Sequence, residues 1–453
     1  MPRRGDRQRG ILRPLIAILA LAVIAAGVHF GYPYLNSFIT GEFYINVKAE
    51  IDPQKDYRLR LWIERPFLPD LEPLRAGVEQ ALEEFATIFP RVAVELSYLS
   101  PGEAASKLDE SLFAGTPPDV WFSAESSQSY FGTLQVPLSR YLDDEERSTW
   151  PAAVWLQVST ARQAYALPVA LYPRVLLANA ALLPASSSDL ANPAQNGWSW
   201  DDFLSLAESA RQDGVYGYVP SNILDELLQS IAASLGKPVP LADDGTPLWT
   251  EEDLQAMADV WRRLAASSAV PQPASTMDAD CLDLFLRQKA AIIGPLNHHL
   301  AAWLWSQGNS PLLLPLPSGD GSLRHDARAV AISVFRQANY QGHDHTRAAA
   351  ELAQFLVPRL SQLLQQLVNA VPAQTTVAVA DLPYTGQSLQ TYLNLEQVVA
   401  APYAYGERPG QSKLHWQTAV KPAWDSLVLG EISAGEFVQR VLNGIYAATI
   451  TGP

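Results

Sequence analysis

Seven side chains in this 453-residue chain bring charge, hydrogen-bonding groups and a ring face to positions where strands or crossing segments should end. They are Glu64, Arg65, Ser123, Glu125, Tyr172, Asn222 and Asn297. Carboxylates, a guanidinium, a hydroxyl, carboxamides and a phenol ring suit the reversible capture of a small polar molecule. Each is also what a solvated loop carries, so position must decide. Bond-breaking chemistry finds less support. No Gly-x-Ser-x-Gly elbow is present. Gly319-Asp320-Gly321 lacks the lysine and spacing of a phosphate loop. His343, Asp344 and His345, like the adjacent His298 and His299, make incomplete ligand sets for a metal. The single cysteine, Cys281, lies in the apolar stretch DADCLDLF and reads as a buried structural thiol. Asp143 to Glu146 read as a solvated helix start. No catalytic residue, metal or cofactor is therefore expected.

Positioning those side chains requires strands that end on one edge. RLRLWI, residues 58–63, places Leu59, Leu61 and Ile63 on one face. Leu74, Val78, Leu82, Phe85 and Phe89 recur at helical steps until Pro90 stops the helix. VAVELSY alternates again. In LFAGTPPDVWF, residues 112–122, Gly115 closes a helix, Pro117-Pro118 forbid its continuation, and Asp119 opens a short apolar strand. Strand, helix, strand, helix, strand with short connections reads as an α/β architecture with a parallel sheet, whose ligands bind outside the carboxyl ends of the strands. The same grammar resumes near Tyr165. It includes helices started by Ser199 and Thr250, the helix–strand–turn–helix run CLDLFLRQKAAIIGPLNHHL, a strand at 329–335, a helix over HTRAAAELAQFL, and a final helix with Ser433 and Glu436 as a capping box. The tryptophans Trp62, Trp121, Trp261 and Trp305 read as core. Trp198 and Trp200 flank a helix cap, where packing is expected over stacking.

Length and charge bound the answer. A chain this long exceeds what one hydrophobic core usually serves, so two lobes are expected. Its formal net charge of −15 disfavours nucleic acid, whose phosphates it would repel. The N-terminus sets the compartment. Residues 1–13 carry five arginines, and the apolar run PLIAILALAVIAAGVHFGY, residues 14–32, follows. As a helix that run is long enough to cross a bilayer, and the basic residues before it hold the N-terminus in the cytoplasm. A cleaved signal peptide, with Ala20-Leu21-Ala22 as its site, is the rival reading. The apolar run continues past that site, which favours an uncleaved anchor. No cysteine follows the run to take a lipid. Either way the bulk of the chain is expected outside the cell or in the periplasm.

In order along the chain, RLRLWI, LEEFATIFPRVAVELSY, LFAGTPPDVWF, YALPVALYPRVLLAN, WSWDDFLSLA, LFLRQKAAIIGP, LLLPLPSGDG and AAAELAQFLVPRLSQ resemble the motifs of extracellular solute-binding proteins of ABC transporters, in the branch with many sugar binders. That resemblance implies two α/β lobes joined by a hinge, as in periplasmic binding proteins, with a solute held between them and no catalysis. It implies lobe 1 at 58–167 and 314–376 and lobe 2 at 168–313 and 377–453. Ahead of them stand a cytoplasmic N-terminus (1–13), a single-pass transmembrane signal-anchor (14–35) and a stalk (36–57). The implied partners are a small solute, a sugar among the candidates, and an ABC permease.

The chain departs from the family pattern at three places. Ala178-Asn179-Ala180 replaces Tyr-Asn-Lys, Leu296 stands where an aromatic often follows the Gly-Pro turn, and Ser123 stands where some members carry an aromatic. With fewer stacking faces, a second reading stays open: a sensor or scaffold of the same fold without a transport role.

Overall fold

The computed structural model describes residues 45–66, 68, 70–123, 134–159, 163–184, 196–221, 224–237, 240, 247–271, 281–323, 325–377, 398–399 and 416–450. The chain divides into two units, residues 1–50 and 51–453. In the first, the carboxamide oxygen of Asn46 accepts from the Lys48 amide and forms a turn. The proposed anchor lies outside the described residues. Among the described residues no helix is long and apolar enough to cross a membrane.

The second unit is built on one sheet. In chain order it contains β1 (Tyr57–Glu64), α1 (Glu72–Ile88), β2 (Val92–Leu99), α2 (Pro101–Phe113), β3 (Val120–Ser123), α3 (Asp144–Ser148), α4 (Ala152–Trp155) and β4 (Ala166–Ala178). There follow α5 (Trp200–Ala210), β5 (Tyr216–Pro220), α6 (Leu224–Ser234), α7 (Glu251–Ala266), α8 (Cys281–Leu286), β6 (Ala290–Asn297), α9 (His299–Ser306), β7 (Leu312–Leu314) and β8 (His325–Val334). The chain then continues through α10 (His343–Val368), β9 (Val371–Pro372), β10 (Val398–Val399), α11 (Lys421–Val428) and α12 (Ala434–Ile450).

Local sequence explains most of these boundaries. Leu59, Leu61 and Ile63 are buried on one face of β1. Helix α1 buries Leu74, Val78, Ala81 and Phe85 and ends at Ile88, ahead of Pro90. Gly115 follows α2 with φ +70, and a Cβ there would come within 2.6 Å of Ala338 Cβ, so both backbone and space call for glycine. The Ser199 and Thr250 hydroxyls each accept from the backbone amide three residues on, with the aspartate at that position bonding back. The Ser433 hydroxyl likewise accepts from the Glu436 amide. Helix α10 runs further than the sequence suggests, straight through Pro358 to an Asn369 cap with φ 55. Leu352, Leu356, Leu360 and Leu364 keep one face buried past the proline, and that burial sustains the helix.

The strand order is β2-β1-β3-β8-β4-β6-β5, with β10 beside β8 and β7 and β9 beside β4. The expected parallel pairing holds at the two outer ends, in β2-β1-β3 and in β5-β6. The middle is antiparallel: β3 with β8, β8 with β4, and β4 with β6. Strand β4 serves both halves of the sheet. All thirteen residues of β4 are buried. Its first part pairs with β8 and its last part with β6 and β7.

Each half has its own core. In the first half the Phe85 ring meets Phe355 edge-on at 5.3 Å, joining α1 to α10. Trp121 packs with Leu99, Ala104, Leu108 and Phe335, and Trp62 lies half-buried against them. The second half is held by aromatic contacts: Trp261 with Trp424 at 6.1 Å, Trp424 with Phe437 at 5.8 Å, and Phe203 with Tyr218 at 4.9 Å. Trp198 and Trp200 belong to this core as packing residues, and Cys281 is buried.

Candidate functional site

Strand register locates the site. Strands β1 and β3 run side by side and end level with each other, at Glu64 and Ser123. Ser123 sits opposite Ala331 of β8, which sits opposite Pro168 of β4. Beyond that row β1 and β3 stop, while β4 and β8 continue as a ribbon through Tyr172↔Arg328 and Pro173↔Ala327, flanked by β9 at Ala170 and Leu171 and by β10 at His325 and Asp326. At Arg174 the partner of β4 becomes Asn297, the last residue of β6. Because β6 runs antiparallel to β4, and β5 parallel to β6, the carboxyl ends of β5 and β6 point back toward the ribbon. Two sets of strand ends are therefore directed at one stretch of ribbon, from Pro168 to Arg174, about 20 Å long at 3.3 Å per residue.

The first-half end is a polar pair. The Ser123 hydroxyl donates to Glu64 Oε2 at 2.8 Å, and both residues are buried. Arg65 follows directly, half-buried, its amide bonded to the Leu99 carbonyl at 3.0 Å. The second-half end is set by Gly294. Its φ of +134 and the Val175 carbonyl oxygen, 2.8 Å from where a Cβ would sit, admit only glycine. The Gly294 carbonyl accepts from the Tyr218 hydroxyl at 2.6 Å and from the Ser221 amide at 3.0 Å, which fixes both strand ends. Burial raises the Tyr218 pKa, so its hydroxyl stays protonated and donates.

Between the ends, the ribbon carries polar groups that the sequence reading passed over. Arg174, 2% exposed, lies 3.6 Å from the Asp326 carboxylate. The Ser230 hydroxyl of α6 donates to the same carboxylate at 2.8 Å and accepts from Arg174 at 3.3 Å. Gln229, its neighbour, accepts from Arg328. The Gln157 carboxamide spans the Ala327 carbonyl (2.9 Å) and the Ala329 amide (2.8 Å), standing in for a strand neighbour. His298 Nε2 is hydrogen-bonded to the Asn369 carbonyl, and burial pushes its pKa down to about 4. One signal was available in the sequence: Arg174 is the sole charged residue in the thirteen of β4.

The structure thus places five of the seven expected residues. Glu64, Arg65 and Ser123 meet at the first-half end, Tyr172 lies within the ribbon and Asn297 at the second-half end. Tyr172 is only 1% exposed and its ring lies 6.3 Å from that of His298, so it packs as well as lining the ribbon. Glu125 and Asn222 lie outside the described residues. The three-residue His343-Asp344-His345 run diverges: His343 bonds Tyr340, Asp344 takes Lys55 and Tyr57, and His345 reaches Asp119. Among the described residues no group of three or more metal-ligating side chains is assembled.

Known proteins agree with this architecture. The profile of the family described as bacterial extracellular solute-binding protein matches residues 80–357. The chain belongs to that family. Its members bind solutes and are not enzymes. An uncharacterized lipoprotein in the oleD 5'region of Streptomyces antibioticus is 26% identical over 376 residues, which cover 77% of this chain and 82% of that protein. The sugar-binding protein MalE of Xanthomonas citri superposes with a TM-score of 0.65 at 15% identity, covering 87% of this chain and 98% of its own. The maltose/maltodextrin-binding domain MalE of Bdellovibrio bacteriovorus, solved with maltotriose, gives 0.63 at 15% identity, covering 87% of this chain and all of its own. Together with the register above, these likenesses establish a two-lobed α/β fold of the periplasmic-binding-protein kind.

Proposed function

We propose that this protein is a membrane-tethered extracellular receptor that captures a small solute between its lobes and hands it to an ABC permease. The observation that carries the reading is the register: the carboxyl ends of β1 and β3 and those of β5 and β6 are directed at one crossing ribbon. We take lobe 1 as 58–167 with 314–376 and lobe 2 as 168–313 with 377–453. A ligand touching both lobes at once favours their closed arrangement, because only there does it keep all its contacts. At micromolar affinity such a ligand supplies about 8 kcal/mol, part of which opposes the cost of closure. The permease reads the closed shape.

Glu64, Arg65, Ser123, Glu125, Tyr172, Asn222 and Asn297 are the proposed contacts. Their donors and acceptors match a solute rich in hydroxyls, and the maltotriose in the Bdellovibrio relative supports a carbohydrate. The apolar run at 14–32 supports tethering by an uncleaved helix, in place of the lipid named for the Streptomyces relative, since the only cysteine is Cys281.

Calorimetry and thermal shift on the full chain test the reading, with maltotriose first and then other sugars, polyols, peptides and acids. A true ligand at a hundredfold its Kd stabilises the fold by about 2.7 kcal/mol. Glu64→Ala is expected to weaken its binding by about 1.5–3 kcal/mol, the worth of hydrogen bonds to a charged group. If no compound in the panel raises the melting temperature, transport is lost as a function, and a ligand-free scaffold takes its place.

A further inference from the structure

The buried charges of the ribbon ask for a reason, because the receptor reading assigns them none. Arg174 and Asp326 are both almost fully enclosed, and they approach each other to 3.6 Å. Asp326 Oδ1 is buried with no hydrogen-bond partner among the described residues. Taking two ions out of water costs several kcal/mol each, and only close geometry with every lone pair satisfied repays it. A buried ion pair is therefore weak evidence of stability in itself. Apolar side chains of similar volume would hold the fold as well or better.

What the pair supplies is direction. Arg174 stands on β4 at the point where its partner changes to Asn297. Asp326 stands on β8, and Ser230 on α6 in the second half of the sheet. The Ser230 hydroxyl joins both charges, and Gln229 beside it holds Arg328. Asp326 and Arg328 are two residues apart on a strand, so their side chains share one face. Helix α6 therefore grips one face of β8 at two successive positions. The backbone of the same stretch, at Ala327 and Ala329, is held by Gln157 from the segment between β3 and β4. Residues 326–329 are thus fastened from both halves. They lie on the ribbon that must absorb any rotation of one half against the other.

We infer that Arg174, Asp326 and Ser230 are positioning residues: a buried charged strut that fixes α6 to the crossing strands and so sets the angle at which the two sets of strand ends meet. The inference takes the two-lobed receptor reading as its setting, but its first test needs no ligand.

Spin labels on cysteines placed at Glu83 of α1 and Glu252 of α7, both exposed, report the distance between the halves. The chain's own thiol, Cys281, is buried, and the chain without the added cysteines serves as the blank. In Arg174→Met/Asp326→Leu we expect a melting temperature equal to or above that of the unsubstituted chain, together with a broadened and displaced distance distribution. Arg174→Lys, which keeps the charge, should restore most of the original distribution. With maltotriose as probe, a tenfold fall in the population of the binding-competent arrangement raises the apparent Kd about tenfold. A double variant with an unchanged distance distribution overturns the inference. So does one that melts well below the unsubstituted chain, since the pair would then be a stabilising contact. Failure of maltotriose to bind the unsubstituted chain counts against the carbohydrate reading alone, because the distance measurement stands without it.

Discussion

The second-half core and the crossing ribbon are both buried, yet they are built from opposite materials. The core meets Trp261, Trp424 and Phe437 edge to face and takes its strength from area removed from water. The ribbon, a strand or two away, encloses Arg174, Asp326, Gln157, Gln229 and His298 and ties them to their neighbours through directed bonds. Apolar packing is strong but tolerates sliding. Hydrogen bonds and ion pairs contribute little net energy but fix geometry. The contrast teaches that burial alone does not mark a structural residue. In this fold the core determines whether each half folds, and the ribbon determines how the halves face each other.

Substitutions can break that contrast or sharpen it. The largest effect should come from Trp424→Ala, which empties a fully buried indole site and costs about 3–5 kcal/mol. Chemical denaturation reads the loss, and the folded fraction should bind its ligand unchanged. A matching loss of affinity in the folded fraction would erase the distinction between core and ribbon.

His298 gives the next effect, through pH. Burial holds its folded-state pKa at about 4, below the ordinary 6.5, so the unfolded chain takes up the proton first as pH falls. Its contribution is complete above pH 6.5 and declines down to about pH 4. That amounts to about 3 kcal/mol across the window. His298→Gln should flatten this part of the stability–pH curve, and an unaltered slope would show that the imidazole is not buried as described.

Smaller effects belong to the helix ends and the surface. Thr250→Ala removes the cap of α7 and should cost about 1 kcal/mol in stability with no change in ligand affinity. Arg440→Ala breaks an exposed pair with Glu436 on α12 and should cost under about 0.5 kcal/mol, a value to be read at low salt. An affinity change from either would mean that the surface is coupled to the cleft.

How much of this was legible in the sequence follows the range of each interaction. The apolar face of β1, the stop at Pro90, the turn at Gly115 and the caps Ser199 and Thr250 rest on neighbours within a few residues, and periodicity with cap chemistry reveals them. That Glu64, Ser123 and Asn297 close their strands is legible because a strand end can be read from its own residues. The order of solute-binding-family motifs likewise lies along the chain, and that order implies two lobes.

Tertiary structure alone decided the rest. No local pattern says that β8 lies between β3 and β4, that the middle of the sheet is antiparallel, or that helix α10 persists beyond Pro358. Arg174 is the one charge within β4, but its partners Ser230 and Asp326 come from a helix and a strand far along the chain. Periodicity records which face of an element is buried, whereas partner choice depends on contacts between distant segments that form only when the whole sheet closes around them.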